Sequence, residues 1–121
     1  MKQIFLKRVY DPFDEGDGCR VLVDRLWPRG ISKENARLDF WLKDVAPSTK
    51  LRKEFNHMHE KYEEFRTQYL QELREEPLNS QAVEQIIQLA ADRNVTLLYG
   101  AKDPVYNHAH VLLEEINRRA K

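Results

Sequence analysis

Apolar and polar positions along this chain follow two different periods, and the change from one to the other marks its elements. Residues 4–10, with Ile4, Phe5, Leu6, Val9 and Tyr10, are rich in β-forming side chains, and Val21-Leu22-Val23 is a short apolar run behind Gly16, Asp17 and Gly18. This pattern predicts two strands joined by a polar loop. Ser32 caps a predicted short helix over 32–37, and Leu38-Asp39-Phe40-Trp41-Leu42 alternates as a further strand or an irregular packed segment. Ser48, behind Pro47, caps a helix reaching Phe55, and a longer helix is predicted over 59–76, where Tyr62, Phe65, Tyr69 and Leu73 form an inward stripe. Pro77 and Asn79 break that pattern, so Ser80 is read as the cap of the next helix, whose apolar side is Ala82, Val83, Ile86, Ile87 and Ala90.

Val95-Thr96-Leu97-Leu98-Tyr99 is almost continuously apolar, as in a strand buried on both faces of a helix-covered parallel or mixed sheet. Asp103-Pro104 then reads as an N-cap followed by proline at the first helical position. The last helix follows, with Val105, Ala109, Leu112, Leu113 and Ile116 inward and Arg118, Arg119 and Lys121 near its C-terminal end. The expected fold class is therefore α/β, a small central, mostly parallel or mixed sheet of about three to four strands flanked by helices. The 121 residues suffice for a single domain, 1–121, with one core.

Composition narrows the function classes. Twenty basic and twenty acidic residues cancel, so no global field draws the protein to nucleic acid or an anionic membrane, and any anion site must be local. No signal peptide or membrane-spanning run is visible, no membrane partner is implied, and the cytoplasm is the expected compartment. Cys19 is the single cysteine, which rules out an internal disulfide and fits an idle or buried thiol better than a nucleophile. The acids between Asp11 and Asp17 do not follow a calcium-loop order. The pairs His57/His59 and His108/His110 lack zinc-site spacing, so no metal is assigned. A phosphate-binding glycine loop, a dinucleotide fingerprint and a nucleophile elbow are all missing, and no cofactor is implied.

Two segments carry candidate chemistry. Asp24-Arg25-Leu26-Trp27-Pro28-Arg29-Gly30 leaves the end of an apolar strand with an acid, two guanidiniums and an indole held by a proline and a glycine. Such a segment can clamp a carboxylate or phosphate between Arg25 and Arg29; it can equally be an internal brace, with Asp24 paired to an arginine and Trp27 plugging the core. The second is Tyr99-Gly100-Ala101-Lys102-Asp103-Pro104 with Asn107 and His108, a strand-to-helix connection of the kind that gathers ligands in open α/β sheets. Lys102 would add positive charge, Asp103 would serve as helix cap or reactive carboxylate, and helical rotation points Asn107 away from the inward stripe with His108 on its flank.

These blocks, together with Trp41-Leu42-Lys43-Asp44-Val45-Ala46-Pro47-Ser48 and Thr96-Leu97-Leu98-Tyr99, resemble the YeaO-like family, domain of unknown function 488, over nearly the whole chain. The resemblance implies that Asp24, Arg25, Trp27, Arg29, Trp41, Lys102, Asp103, Asn107 and His108 belong together; it brings no activity with it. Gly100, where alanine is expected in relatives, and His57-Met58-His59 depart from the family pattern, which turns attention away from those histidines. The expectation is a pocket for a small anionic, phosphate- or carboxylate-bearing ligand, bound by Arg25, Arg29 and Lys102 with Trp27, Trp41, Asp103 and Asn107 around it. In an enzyme, Asp24 or His108 would move a proton. The alternative is a noncatalytic interaction module contacting nucleic acid through Arg25, Arg29, Trp27 and Trp41, against which the zero net charge counts.

Overall fold

In the computed structural model, which describes residues 1–120, four strands form one parallel sheet: β1 (Ile4–Arg8), β2 (Cys19–Leu22), β3 (Phe40–Trp41) and β4 (Val95–Tyr99), in the order β1-β4-β2-β3. The fold class is α/β, as the pattern predicts. Five helices accompany the sheet: α1 (Lys33–Ala36), α2 (Thr49–Phe55), α3 (Tyr62–Glu75), α4 (Pro77–Leu89) and α5 (His108–Ala120). Lys121 lies outside the described residues.

β4 pairs with β1 on one edge and β2 on the other, Leu97 lying opposite Leu6 and Val21. With five buried residues in a row, it can be covered only if both sheet faces are, and they are covered unequally. Cys19, Val21, Val23, Val95, Leu97 and Tyr99 face a large core closed by α2 to α5. Leu22 and Leu98 face a smaller core closed by Val9, Trp27, Ile31 and Leu38 from the strand-connecting segments and by Trp41 of β3. The buried Arg20, 2% exposed, also belongs to this second face; it bridges Asp17 to the carbonyls of Ala36 and Arg37, while Lys7 holds the same aspartate. The polar loop after β1 thus returns across the sheet so that β2 runs parallel to β1, with β4 between them. Gly18 ends this return at φ +66°, and a Cβ there would lie 2.3 Å from the Asn94 carbonyl oxygen, so the close approach requires glycine.

Most helix boundaries follow their local signals. Ser32 and Ser48 cap α1 and α2 by accepting from Asn35 and Leu51 N–H. Three boundaries differ from expectation. α3 starts at Tyr62 rather than at His59, because His59–Lys61 form a separate 3-10 turn. α4 starts at Pro77 rather than after Ser80, because proline fits the first helical position and Glu76 supplies the extended residue before it. α5 starts at His108 rather than at Pro104. The Asp103 carboxylate accepts from Val105 and Tyr106 N–H and closes a separate turn, which leaves Val105 57% exposed instead of inward. Asn107 is the residue that caps α5, accepting from His110 N–H, and it is buried at 1% exposure rather than pointing outward.

Three helices are joined by a charge cluster that hydrophobic periodicity does not reveal. Glu115 of α5, fully buried, accepts from Arg118 and Arg119 on its own helix and from Arg74 of α3; Arg119 continues to Leu73, Ser80 and Glu84. Burial alone would raise the Glu115 carboxyl, but the guanidiniums of Arg118, Arg119 and Arg74 outweigh it and hold it at about 2 against an ordinary 4.5. A carboxyl depressed in the folded state stabilises the fold above its unfolded value and loses that contribution as pH falls from 4.5 towards 2. The contribution is on the order of 3 kcal/mol at neutral pH. Urea unfolding should therefore show Glu115→Gln clearly weaker than wild type at pH 7, with the gap narrowing as pH drops below the ordinary glutamate range. A gap that stays constant with pH would show that the cluster stabilises by packing alone.

Candidate functional site

An all-parallel sheet delivers every strand's carboxyl end to the same edge, and here the four segments leaving that edge enclose one cavity of about 450 Å³. Tyr10 comes from behind β1, Asp24 to Arg29 from behind β2, Ala46 and Pro47 from behind β3, and Gly100, Ala101, Asn107 and His108 from behind β4. Arg52 and Phe55 of α2, His57 just after it and Phe65 of α3 close the far side.

Asp24 is the junction of the two predicted segments. Its Oδ2 accepts the Gly100 N–H at 2.9 Å, tying the end of β2 to the end of β4. Its Oδ1 lies 3.1 Å from His108 Nε2, yet that nitrogen is also 3.1 Å from the Val23 carbonyl oxygen, and the hydrogen-bond geometry is met to the carbonyl. A carbonyl only accepts, so the Nε2 hydrogen points to Val23 and Asp24 Oδ1 receives no hydrogen bond. His108 thereby fastens the first residue of α5 to β2. Gly100 suits this junction, since a Cβ on it would sit 2.9 Å from Asp24 Oδ2.

The cavity's cations do not pair with this acid. Arg25 spends its Nε and one terminal nitrogen on the carbonyls of Pro47 and Ala46, bracing the segment behind β3. Arg29 is exposed, its backbone oxygen held by the Tyr10 hydroxyl. Arg52 is half-buried, and its Nε is buried with no acceptor. Among the described residues none of these three guanidiniums forms an ion pair. The internal pairing of Asp24 with an arginine, one of the two readings open from sequence, is therefore not found.

Of the nominated site residues, Asp24, Arg25, Trp27, Arg29, Asn107 and His108 reach the cavity, whereas Trp41, Lys102 and Asp103 do not line it. Trp41 turns to the smaller core, edge-on to Trp27 at 5.3 Å, and donates its indole N–H to the Asp24 carbonyl oxygen. Trp27 likewise donates to the Ile31 carbonyl, so both indoles are anchored. Lys102 is exposed. Asp103 closes its own turn and meets His59 Nε2 at 2.7 Å; the backbone N–H groups of Tyr106 and Val105, then His59, hold its carboxyl low. Arg52 and His57 were missed. Arg52 sits in a helix whose pattern marks only its apolar side, and His57 is turned to the cavity by consecutive left-handed residues, Asn56 at φ 45° and His57 at φ 56°. Cys19 is buried, and burial pushes its thiol up, away from nucleophile chemistry. Among the described residues no group of three or more His, Cys, Asp or Glu is placed to hold a metal ion.

The sequence profile described as "Inactive DUF488-N3 subclade" matches residues 3–121. The chain is 48% identical to the uncharacterized protein YeaO of Escherichia coli K12 over 108 residues, covering 89% of this chain and 91% of that one. The chain belongs to the YeaO-like DUF488 family. Its similarity extends to an uncharacterized protein of Mycobacterium tuberculosis H37Rv, 38% identical over 117 residues, with 97% of this chain and 96% of that one covered. No solved structure matches. None of the described helices of this DUF488 protein is long and apolar enough to cross a membrane.

The Asp24 junction can be tested through stability. Asp24→Ala leaves the Gly100 N–H without its acceptor and should cost about 2 kcal/mol. Asp24→Asn keeps an oxygen for that N–H and should cost clearly less. Urea titrations of the two variants at neutral pH decide this; equal losses would mean that the Gly100 contact does not stabilise the junction.

Proposed function

We propose that this protein binds a small anionic, phosphate- or carboxylate-bearing ligand in the cavity at the carboxyl edge of its sheet, without chemically converting it. The observation that carries the reading is the presence of Arg25, Arg29 and Arg52 around one cavity with no carboxylate paired to any of them. Arg25 and Arg52 are half-buried; guanidiniums so placed without counter-ions are costly, and an anion that accepts from them offsets that cost. The volume of about 450 Å³ suits a small molecule. Phe55, Phe65, Trp27, Pro28 and Pro47 supply apolar walls that strengthen charge-assisted hydrogen bonds inside.

Binding is favoured over catalysis for two reasons. The Nε2 hydrogen of His108 is directed at a backbone carbonyl, which makes this nitrogen a fastening rather than a free proton carrier. The subclade to which the chain is matched is described as inactive. The nucleic-acid alternative needs indole faces on which bases can stack; Trp27 and Trp41 pack on each other, and Lys43 lies over the Trp41 ring at 4.1 Å.

Thermal-shift and calorimetric titration with inorganic phosphate, pyrophosphate, citrate and glutamate test the proposal. At least one should raise the melting temperature of the wild type, and Arg52→Gln should weaken its binding by about tenfold or more, the loss of one charge-assisted contact of about 1.5–3 kcal/mol. Arg66→Gln, outside the cavity, should bind as wild type does. Equal stabilisation of all three proteins would remove the cavity from consideration.

A further inference from the structure

The same cavity keeps opposite charges apart. Asp24 lines it together with Arg25, Arg29 and Arg52, yet the carboxylate forms no ion pair with any of the three. A carboxylate has about four lone-pair positions, and the protein fills one of those on Asp24, with the Gly100 N–H; His108 Nε2 lies 3.1 Å from Oδ1 but spends its hydrogen on the Val23 carbonyl. Two buried side-chain polar atoms among the described residues lack any hydrogen-bond partner: Asp24 Oδ1, an acceptor, and Arg52 Nε, a donor. Both belong to residues of this cavity wall. Seventeen residues line the cavity, so scatter over the whole chain would seldom bring both orphans to it. Buried polar groups are nearly always satisfied, and an exception calls for a partner that the protein itself does not provide.

We infer that the ligand carries a nitrogen donor as well as an anionic group: an amino-bearing anion whose ammonium or amine N–H meets the Asp24 carboxylate while its phosphate or carboxylate meets the guanidiniums. The inference rests on the anion-binding reading and adds polarity to it. A simple anion such as glutarate satisfies the arginines and brings a second negative group near Asp24, where like charges repel. An amino-bearing anion satisfies both walls and is favoured over its amino-free counterpart by the charge-assisted contact it adds. The Gly100 N–H holds the carboxylate in place, so the acceptor is set before the ligand arrives.

Matched pairs separate this inference from the one beneath it. L-glutamate against glutarate presents an aliphatic ammonium, and adenosine 5′-monophosphate against purine riboside 5′-monophosphate presents an aromatic amine. Calorimetric titration of the wild type should show the amino-bearing member of at least one pair binding about tenfold tighter or more, and the pair that responds identifies the nitrogen source. In Asp24→Asn the amide oxygen takes over the Gly100 N–H and the amide nitrogen replaces the acceptor, so the preference should collapse while binding stays sensitive to Arg52→Gln. If the amino-free members bind the wild type as tightly as their partners and Arg52→Gln still weakens them, the nitrogen requirement is overturned and the anion pocket stands. If no member of either pair binds while phosphate, pyrophosphate or citrate does, the nitrogen requirement is overturned and the anion pocket stands; if none of these anions binds either, both readings are overturned.

Discussion

β4 is hydrogen-bonded along both edges and covered on both faces, and the other elements are arranged by that requirement. A strand late in the chain can become the centre of a parallel sheet only if β1 and β2 leave a gap for it and all the connections return outside the sheet. The chain meets this condition by sending α2 to α5 over one face and the two irregular connections, residues 9–18 and 23–39, over the other. The second face has no long helix to cover it. It is closed instead by two indoles and by Arg20, whose guanidinium ties together the loops that cross there.

Parallel pairing also collects four strand ends at one edge, where each chain segment must turn away and the sheet itself can fill no space. The resulting cavity is bounded by side chains that serve the fold and the site at once. Arg25 braces the segment behind β3, Asp24 joins β2 to β4, and His108 fastens α5 to β2. Charges held this way are fixed in position without neutralising one another, an arrangement that costs stability and that the proposed ligand would offset. The buried cluster of Glu115 with Arg74, Arg118 and Arg119, where opposite charges meet directly, is its structural opposite within the same protein.

Much of the fold was legible from local signals. The apolar run at 95–99, the serine caps at 32 and 48 and the stripe Phe65, Tyr69 and Leu73 each depend on neighbouring residues alone, and each appears as expected. Asp103-Pro104 carried a valid capping signal, but the signal closes a turn, since Asp103 accepts from the two N–H groups just after it and α5 waits for Asn107. The site was legible only in part, because convergence is a property of topology. Asp24 and Gly100 are neighbours only because β4 inserts beside β2, and the grouping of these two segments by family resemblance agrees with that. Arg52 and His57 belong to a third segment whose polar residues look like an ordinary solvated helix end. Trp41 was grouped with the site by the family resemblance, whereas strand alternation turns it to the smaller core.

The central claim, that unpaired guanidiniums at the carboxyl edge form an anion site, can be read atom by atom from the arginine Nε–Hε resonances of the ¹⁵N-labelled protein during a titration with inorganic phosphate. The Arg52 resonance should shift saturably, accompanied by that of Arg29, while Arg20, Arg25 and Arg119, whose Nε–H groups are already satisfied by protein partners, stay in place. A uniform drift of all arginine resonances, or saturation confined to arginines outside the cavity, would contradict it.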